Sequence, residues 1–186
     1  MIKPIDRLLH LNHSPPEAIK SWLFHNSSLT EKLKTESGEA KLQVLSQNWI
    51  RPNWWEKFTF EIAVESVIHR DILMFSQNLP CWFGRTIIPH DTFQANRFFF
   101  DRLSNESIGL IIFNEPKIKR DLLHAYSIDK GFLEYQWLPE SLKNGNEQFW
   151  LRLSVFSLPD EHCFYLVEIL LPGLMRVKEQ CALISD

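Results

Sequence analysis

Residues 65–89 read as one β-hairpin: ESVIHRDILMF, then SQNLP, then CWFGRTIIP. Alternation puts Ile68, Arg70, Ile72 and Met74 on one face of the first arm. It puts Cys81, Phe83, Arg85 and Ile87 on one face of the second, across a short turn holding Asn78 and Pro80. Two arginines thus sit among apolar neighbours. A guanidinium keeps its charge, so its burial must be offset by an anion and by hydrogen bonds to its donors. That anion is either a protein carboxylate or a group on a bound molecule.

The remaining chain builds around this hairpin. Ser14-Pro15-Pro16-Glu17 is a helix start, and Ile19, Trp22 and Leu23 then mark one apolar face. Ser28-Leu29-Thr30-Glu31 is a second start with a capping-box pattern. The pair is either a cap over a sheet edge or a lid over a ligand. Residues 40–46 read as a strand, and 47–60 as an aromatic loop broken at Pro52. Core packing explains those aromatics better than base stacking. A helix follows from His90 to Leu103, then a turn over 105–109 and a short apolar strand over 110–113. Residues 117–126 are ambiguous, with Arg120, Leu122, His124 and Tyr126 alternating. Residues 131–138 read as a strand, and 141–147 as a polar loop with a turn at Asn144-Gly145. Two clear strands close the pattern, 149–156 and 163–172, and in the second Phe164, Leu166, Glu168 and Leu170 share a face. The predicted class is α+β: one antiparallel sheet with helices gathered on one side, in a single domain over 1–186.

Bulk properties narrow the function. A net charge of −3 over 186 residues gives no broad basic field, against nucleic-acid binding as the main task. Three cysteines, Cys81, Cys163 and Cys181, show no C-x-x-C spacing, which fits a reducing cytoplasm. No apolar run reaches the ~20 residues of a membrane span. There is no G-x-S-x-G, no P-loop and no G-x-G-x-x-G. His69 and His90 could meet a metal, but scattered histidines are more often structural. Cys81, beside Trp82 and Phe83, reads as core.

Three charges therefore stand on faces that should be apolar: Arg70, Arg85 and Glu168. They form either a structural Arg–Glu–Arg cluster or a pocket for a small organic acid, in which an arginine grips a carboxylate as a fork.

These residues carry a resemblance. Ile68-His69-Arg70-Asp71-Ile72, Pro80-Cys81-Trp82-Phe83-Gly84-Arg85-Thr86-Ile87-Ile88-Pro89, Trp150 to Phe156 and Glu168-Ile169-Leu170-Leu171-Pro172 stand in the order and spacing of the chorismate pyruvate-lyases. Ser107-Ile108-Gly109 stands at that family's Pro-Leu-Gly turn. The chain resembles the family over about residues 20–172. It departs at Asp71 (usually glutamate), at Cys81, at Leu153 (an arginine) and at Leu29 (a methionine).

The resemblance implies a lyase that converts chorismate to 4-hydroxybenzoate and pyruvate, the first committed step of ubiquinone biosynthesis, as a monomer without metal or organic cofactor. It implies helical flaps over a buried site. Arg70 would bind the ring carboxylate, with backbone N–H groups near Leu29 and Ile108. Glu168 would face the ring hydroxyl, with Arg85 close by. The rival expectation is a non-catalytic module of the same fold that binds a small aromatic acid.

Overall fold

The computed structural model describes residues 14–104, 106–143 and 148–177. The expected turn at Asn144-Gly145, Asn105 and Cys181 lie outside them. Two short helices come first, α1 (Glu17–Leu23) and α2 (Leu29–Ser37). The Ser28 side chain accepts from the Glu31 N–H and caps α2, while Gly38 ends it at φ 83°. Strand β1 (Lys41–Ile50) leads to α3 (Trp54–Phe60). Asn53 and Glu56 close a reciprocal capping box at the start of α3. The expected aromatic loop is therefore the end of a strand, a break at Pro52, and a helix.

The hairpin is β2 (Val67–Ser76) and β3 (Leu79–Pro89). Its turn is Gln77-Asn78, at φ 50° and 62°, the two left-handed residues of a tight hairpin. Next come α4 (His90–Ala95), α5 (Arg97–Phe100), a 3-10 turn (Asp101–Ser104) and α6 (Ile108–Phe113). Residues 110–113 are thus helical, not a strand. Ser107 caps the segment by accepting from the Leu110 N–H, and a short apolar run does not by itself separate the two forms. Strand β4 (Lys119–Ile128) follows, then α7 (Leu133–Gln136) where a strand was expected, then β5 (Phe149–Ser157) and β6 (Cys163–Leu170).

The six strands form one antiparallel sheet in the order β1-β2-β3-β6-β5-β4. Helices cover both faces, which corrects the expectation of one side. On the far face α3 and α7 bring Trp55, Phe60, Tyr135 and Leu138 onto Val67, Phe83, Ile87 and Val167. On the other, α1 and α2 bring Trp22, Leu23, Leu29 and Leu33 onto Ile72, Met74 and Trp82. The α5–α6 region adds Phe100, Ile108 and Ile111 over Ile88, Phe156 and Leu166. Alternating residues fill two cores because both faces are buried.

The far core contains a buried polar pair. Tyr126 donates to Glu134, and both are buried. Burial raises the Glu134 carboxyl above its usual range and holds the Tyr126 hydroxyl well above its own. A raised folded value means that the folded state favours protonated Glu134 over the unfolded chain. Its stabilising effect is complete below the ordinary carboxylate range and is lost as pH rises through the raised value. Glu134→Gln removes this loss and keeps an acceptor for Tyr126. The Tm of the variant relative to wild type should therefore rise from pH 4 to pH 8. A pH-independent difference in thermal unfolding would contradict it.

Candidate active site

The hairpin does not keep its two arginines on one face. Its two-residue turn pairs Ser76 with Leu79 and Phe75 with Pro80. Continued without a break, that register would set Arg70 directly against Arg85. A bulge intervenes: Cys81 is the extra residue, and Met74 pairs with Trp82. A one-residue shift turns every later side chain to the opposite face. Arg70 then faces Thr86, and Arg85 faces Asp71.

Arg85 accordingly lies on the far face. Its Nε and Nη2 donate to the two Asp71 oxygens, each at 2.7 Å, and its guanidinium lies 4.4 Å from the Trp137 ring centre. Its anion is the carboxylate that stands where the family carries glutamate. Cys81 packs with Trp82 in the core under α1 and α2, and burial pushes its thiol up to about 11. The other candidates for metal stay apart. His69 Nε2 lies 2.6 Å from buried Glu56 on the far face, and His90 sits at the surface, 5.4 Å from the Trp49 ring. Among the described residues no group of three His, Cys, Asp or Glu could hold a metal ion.

Arg70 and Glu168 face one cavity. It lies between the sheet and the starts of α2 and α6. Ile72, Met74, Trp82 and Leu166 give it apolar walls, and Leu29, Ser107 and Ile108 close it from above. Two glycines keep it open. A Cβ at Gly84 would meet Ile72 at 3.1 Å, and one at Gly109 would meet the Ser28 hydroxyl at 3.1 Å. The second contact shows how closely the two helix starts approach. Their first N–H groups have no partners within the helix and carry its positive end. The enclosed space is about 30 Å³, room for about two waters.

Two further arginines line this cavity, Arg120 and Arg152. Arg152 stands opposite Glu168 across β5 and β6, with Nε 2.9 Å from Oε2. Its Nη1 donates to the carbonyls of Trp22 at 3.0 Å and His25 at 3.1 Å. These carbonyls end α1, where a cation is favourable. Arg120 reaches the same His25 carbonyl at 3.3 Å and lies over the Phe113 and Phe156 rings. It reaches the cavity through a second bulge, between Arg120 and Leu122. The simple alternation of Arg120 with His124 and Tyr126 would have sent it to the far face. Burial first, then Arg152, lowers its guanidinium to about 10, with Glu168 opposing.

Arg70 is 1% exposed, yet only its Nη2 is matched, donating to the Glu106 carbonyl at 3.2 Å. Its Nε and Nη1 are buried without partners among the described residues. Burial lowers its pKa from the usual value. Three guanidiniums thus face one carboxylate, leaving two positive charges in an apolar cavity. The arrangement is made to receive an anion.

The fold has known counterparts. The structure superposes on PhnF from Mycobacterium smegmatis with a TM-score of 0.57 at 13% identity, covering 80% of this chain and 65% of that one. It superposes on a GntR-family transcriptional regulator from Bacillus cereus with a TM-score of 0.52 at 16% identity, covering 72% and 92%. At such identities these matches establish the class of fold, that of the GntR-type regulators. The sequence goes further. The chorismate lyase family model matches residues 10–175, and the chain belongs to that family. It is 26% identical over 153 residues to the chorismate pyruvate-lyase of Pectobacterium atrosepticum, covering 81% of this chain and 82% of the relative. It is 27% identical over 165 residues to the probable chorismate pyruvate-lyase of Pseudoalteromonas atlantica, covering 85% and 81%. No helix among the described residues is long and apolar enough to cross a membrane.

Proposed function

We propose that this chain is a chorismate pyruvate-lyase that leaves 4-hydroxybenzoate and releases pyruvate. The carrying observation is the buried Arg70, with two unmatched nitrogens, in a cavity holding two positive charges in excess. Chorismate is a dianion with an unsaturated six-membered ring, so its charge offsets that excess and its ring suits the apolar walls. Family membership supplies the reaction class.

The reaction is an elimination. C4 loses its hydrogen, those electrons form the C3–C4 double bond, and the C3–oxygen bond breaks. The ring becomes aromatic, and the departing enolpyruvate takes a proton at carbon to become pyruvate. Aromatisation supplies the driving force, so the scheme draws on no metal or organic cofactor. The protein holds the ring and stabilises the departing charge. Arg70 anchors the ring carboxylate, with the N–H groups of Leu29 and Ile108 beside it. Glu168 accepts from the ring 4-hydroxyl and serves as proton carrier. Arg152 supplies the positive charge beside Glu168 that the resemblance gave to Arg85. Arg85 itself ties β3 to β2 from behind.

Leu29, at the start of α2, lies over the cavity, and the α1–α2 pair is the flap that admits the substrate. The same reading takes 1–186 as one unit acting as a cytoplasmic monomer that feeds ubiquinone biosynthesis. Consumption of chorismate by the purified chain tests the proposal. Glu168→Gln removes the charge and keeps the shape, and should slow turnover by about 100-fold, within the range of general acid–base catalysis. Unchanged turnover in that variant would remove Glu168 from the scheme.

A further inference from the structure

Arg70, Arg152 and Glu168 each have a role in the proposed elimination, and Arg120, which lines the same cavity, has none. Arg120 is not a surface residue that happens to lean inwards. A bulge in β4 turns it to the cavity face, and two aromatic rings hold its guanidinium at 5.0 and 5.1 Å. Its Nε is buried without a hydrogen-bond partner among the described residues. Its Nη1 shares the His25 carbonyl with Arg152. Two guanidiniums therefore meet at one oxygen, and Glu168, the one carboxylate lining the cavity among the described residues, pairs with Arg152. Arg120 forms no ion pair of its own among the described residues. Its field is felt nearby: after burial and Lys32, both Arg152 and Arg120 help to hold the His25 imidazole below its usual range.

The sheet register separates this end from Arg70. Glu168 aligns through Gly84 with Ile72, two residues along β2 from Arg70. Two strand spacings and two residues amount to about 10 Å across and about 7 Å along. By the same register Arg120 pairs with Phe156, four residues along β5 from Arg152, and its guanidinium comes to the Arg152 end through the shared His25 carbonyl; Arg70 and Arg120 are the two cavity arginines without an ion-pair partner among the described residues. The substrate carries two carboxylates. Its ring carboxylate lies para to the C4 hydroxyl, and its second carboxylate hangs from C3, next to that hydroxyl. If Glu168 holds the hydroxyl, the second carboxylate falls at the Glu168 end, beside Arg152, where the Arg120 guanidinium reaches the shared His25 carbonyl.

We propose that Arg120 is the specificity residue for the second carboxylate, the one on the group that leaves as pyruvate. The inference rests on the lyase reading for the orientation of the ring. It makes Arg120 the residue that distinguishes the diacid substrate from the monoacid product: 4-hydroxybenzoate keeps only the carboxylate held by Arg70.

The test compares two stable ligands by calorimetry on the full chain: 4-hydroxybenzoate, and 3-(carboxymethoxy)-4-hydroxybenzoate, a diacid that cannot eliminate. In Arg120→Gln the diacid should bind about 100-fold more weakly than in wild type, the scale of removing one partner of a buried charge pair. 4-Hydroxybenzoate should change less than about threefold. Arg120→Lys, which keeps the charge without the fork, should recover part of the diacid affinity and guards against a folding defect in the first variant. Equal weakening of both ligands in both variants would make Arg120 a structural support and overturn the proposal. So would no change in either ligand. Arg120-dependent diacid binding by a chain that does not consume chorismate would uphold the subsite and reject the lyase. Turnover of chorismate with an unchanged ratio of the two affinities would do the reverse.

Discussion

Arg70→Ala lowers kcat/KM for chorismate by about two to three orders of magnitude, within the roughly 2–5 kcal/mol that follows loss of one partner from a buried, hydrogen-bonded charge pair. The magnitude comes from where the guanidinium sits. It is almost fully buried, and one backbone carbonyl satisfies one of its nitrogens. The other two have no partner among the described residues, and either can pair with the second Nη2 hydrogen to grip a carboxylate as a fork, which the low polarity of Ile72 and Leu166 in the cavity wall strengthens. Affinity for 4-hydroxybenzoate falls in parallel, since the product keeps this carboxylate. Arg70→Lys keeps a charge but loses the fork, and recovers only part of the loss. Steady-state kinetics and a binding isotherm check both statements. Wild-type kcat/KM in Arg70→Ala would remove the anchor.

The second large effect is on stability. Arg152→Leu leaves Glu168 buried without its ion-pair partner, and removes one donor each from the carbonyls of Trp22 and His25. Breaking a buried pair from one side costs about 3–5 kcal/mol. For a chain of this length that is a fall in Tm of about 10 °C. Arg152→Leu with Glu168→Leu removes both charges. The double variant should regain most of the lost stability, because two apolar groups of similar size replace the pair, and it should have no lyase activity. Thermal unfolding of the three proteins reads the coupling. A single variant as stable as wild type would show that Glu168 finds another partner or that the pair contributes nothing.

The sequence and structure agree where strands are regular. Ile68, Arg70, Ile72 and Met74 do share a face, and Leu166 and Glu168 line the same cavity. The front helix pair stands where Ser28 and Glu31 mark its second start. The differences gather at two bulges. Cys81 adds a residue to β3 and sends Arg85 to the far face, against Asp71. The irregularity between Arg120 and Leu122 brings Arg120 into the cavity. Alternation carries no mark of an inserted residue, so face assignment beyond a bulge inverts. One arginine was exchanged for another in this way. Arg152 could have been found: it stands in FWLRLSVF on a face shared with Trp150 and Ser154, and in register with Glu168 once the last two strands are paired. Residues 110–113 are four apolar residues, too few turns to show a helical period, and within 131–138 only Leu133–Gln136 is helical, a single turn. In α6 the capping serine, Ser107, was the available cue.

The most direct measurement mixes the purified full chain with chorismate and quantifies both products over time. Pyruvate and 4-hydroxybenzoate appearing in equal amounts, at a rate proportional to the protein and lost in Arg70→Ala, is the predicted result. An unchanged chorismate concentration, with the protein nevertheless stabilised by 4-hydroxybenzoate in a thermal melt, would contradict the lyase and leave a cavity that binds an aromatic acid without acting on its precursor.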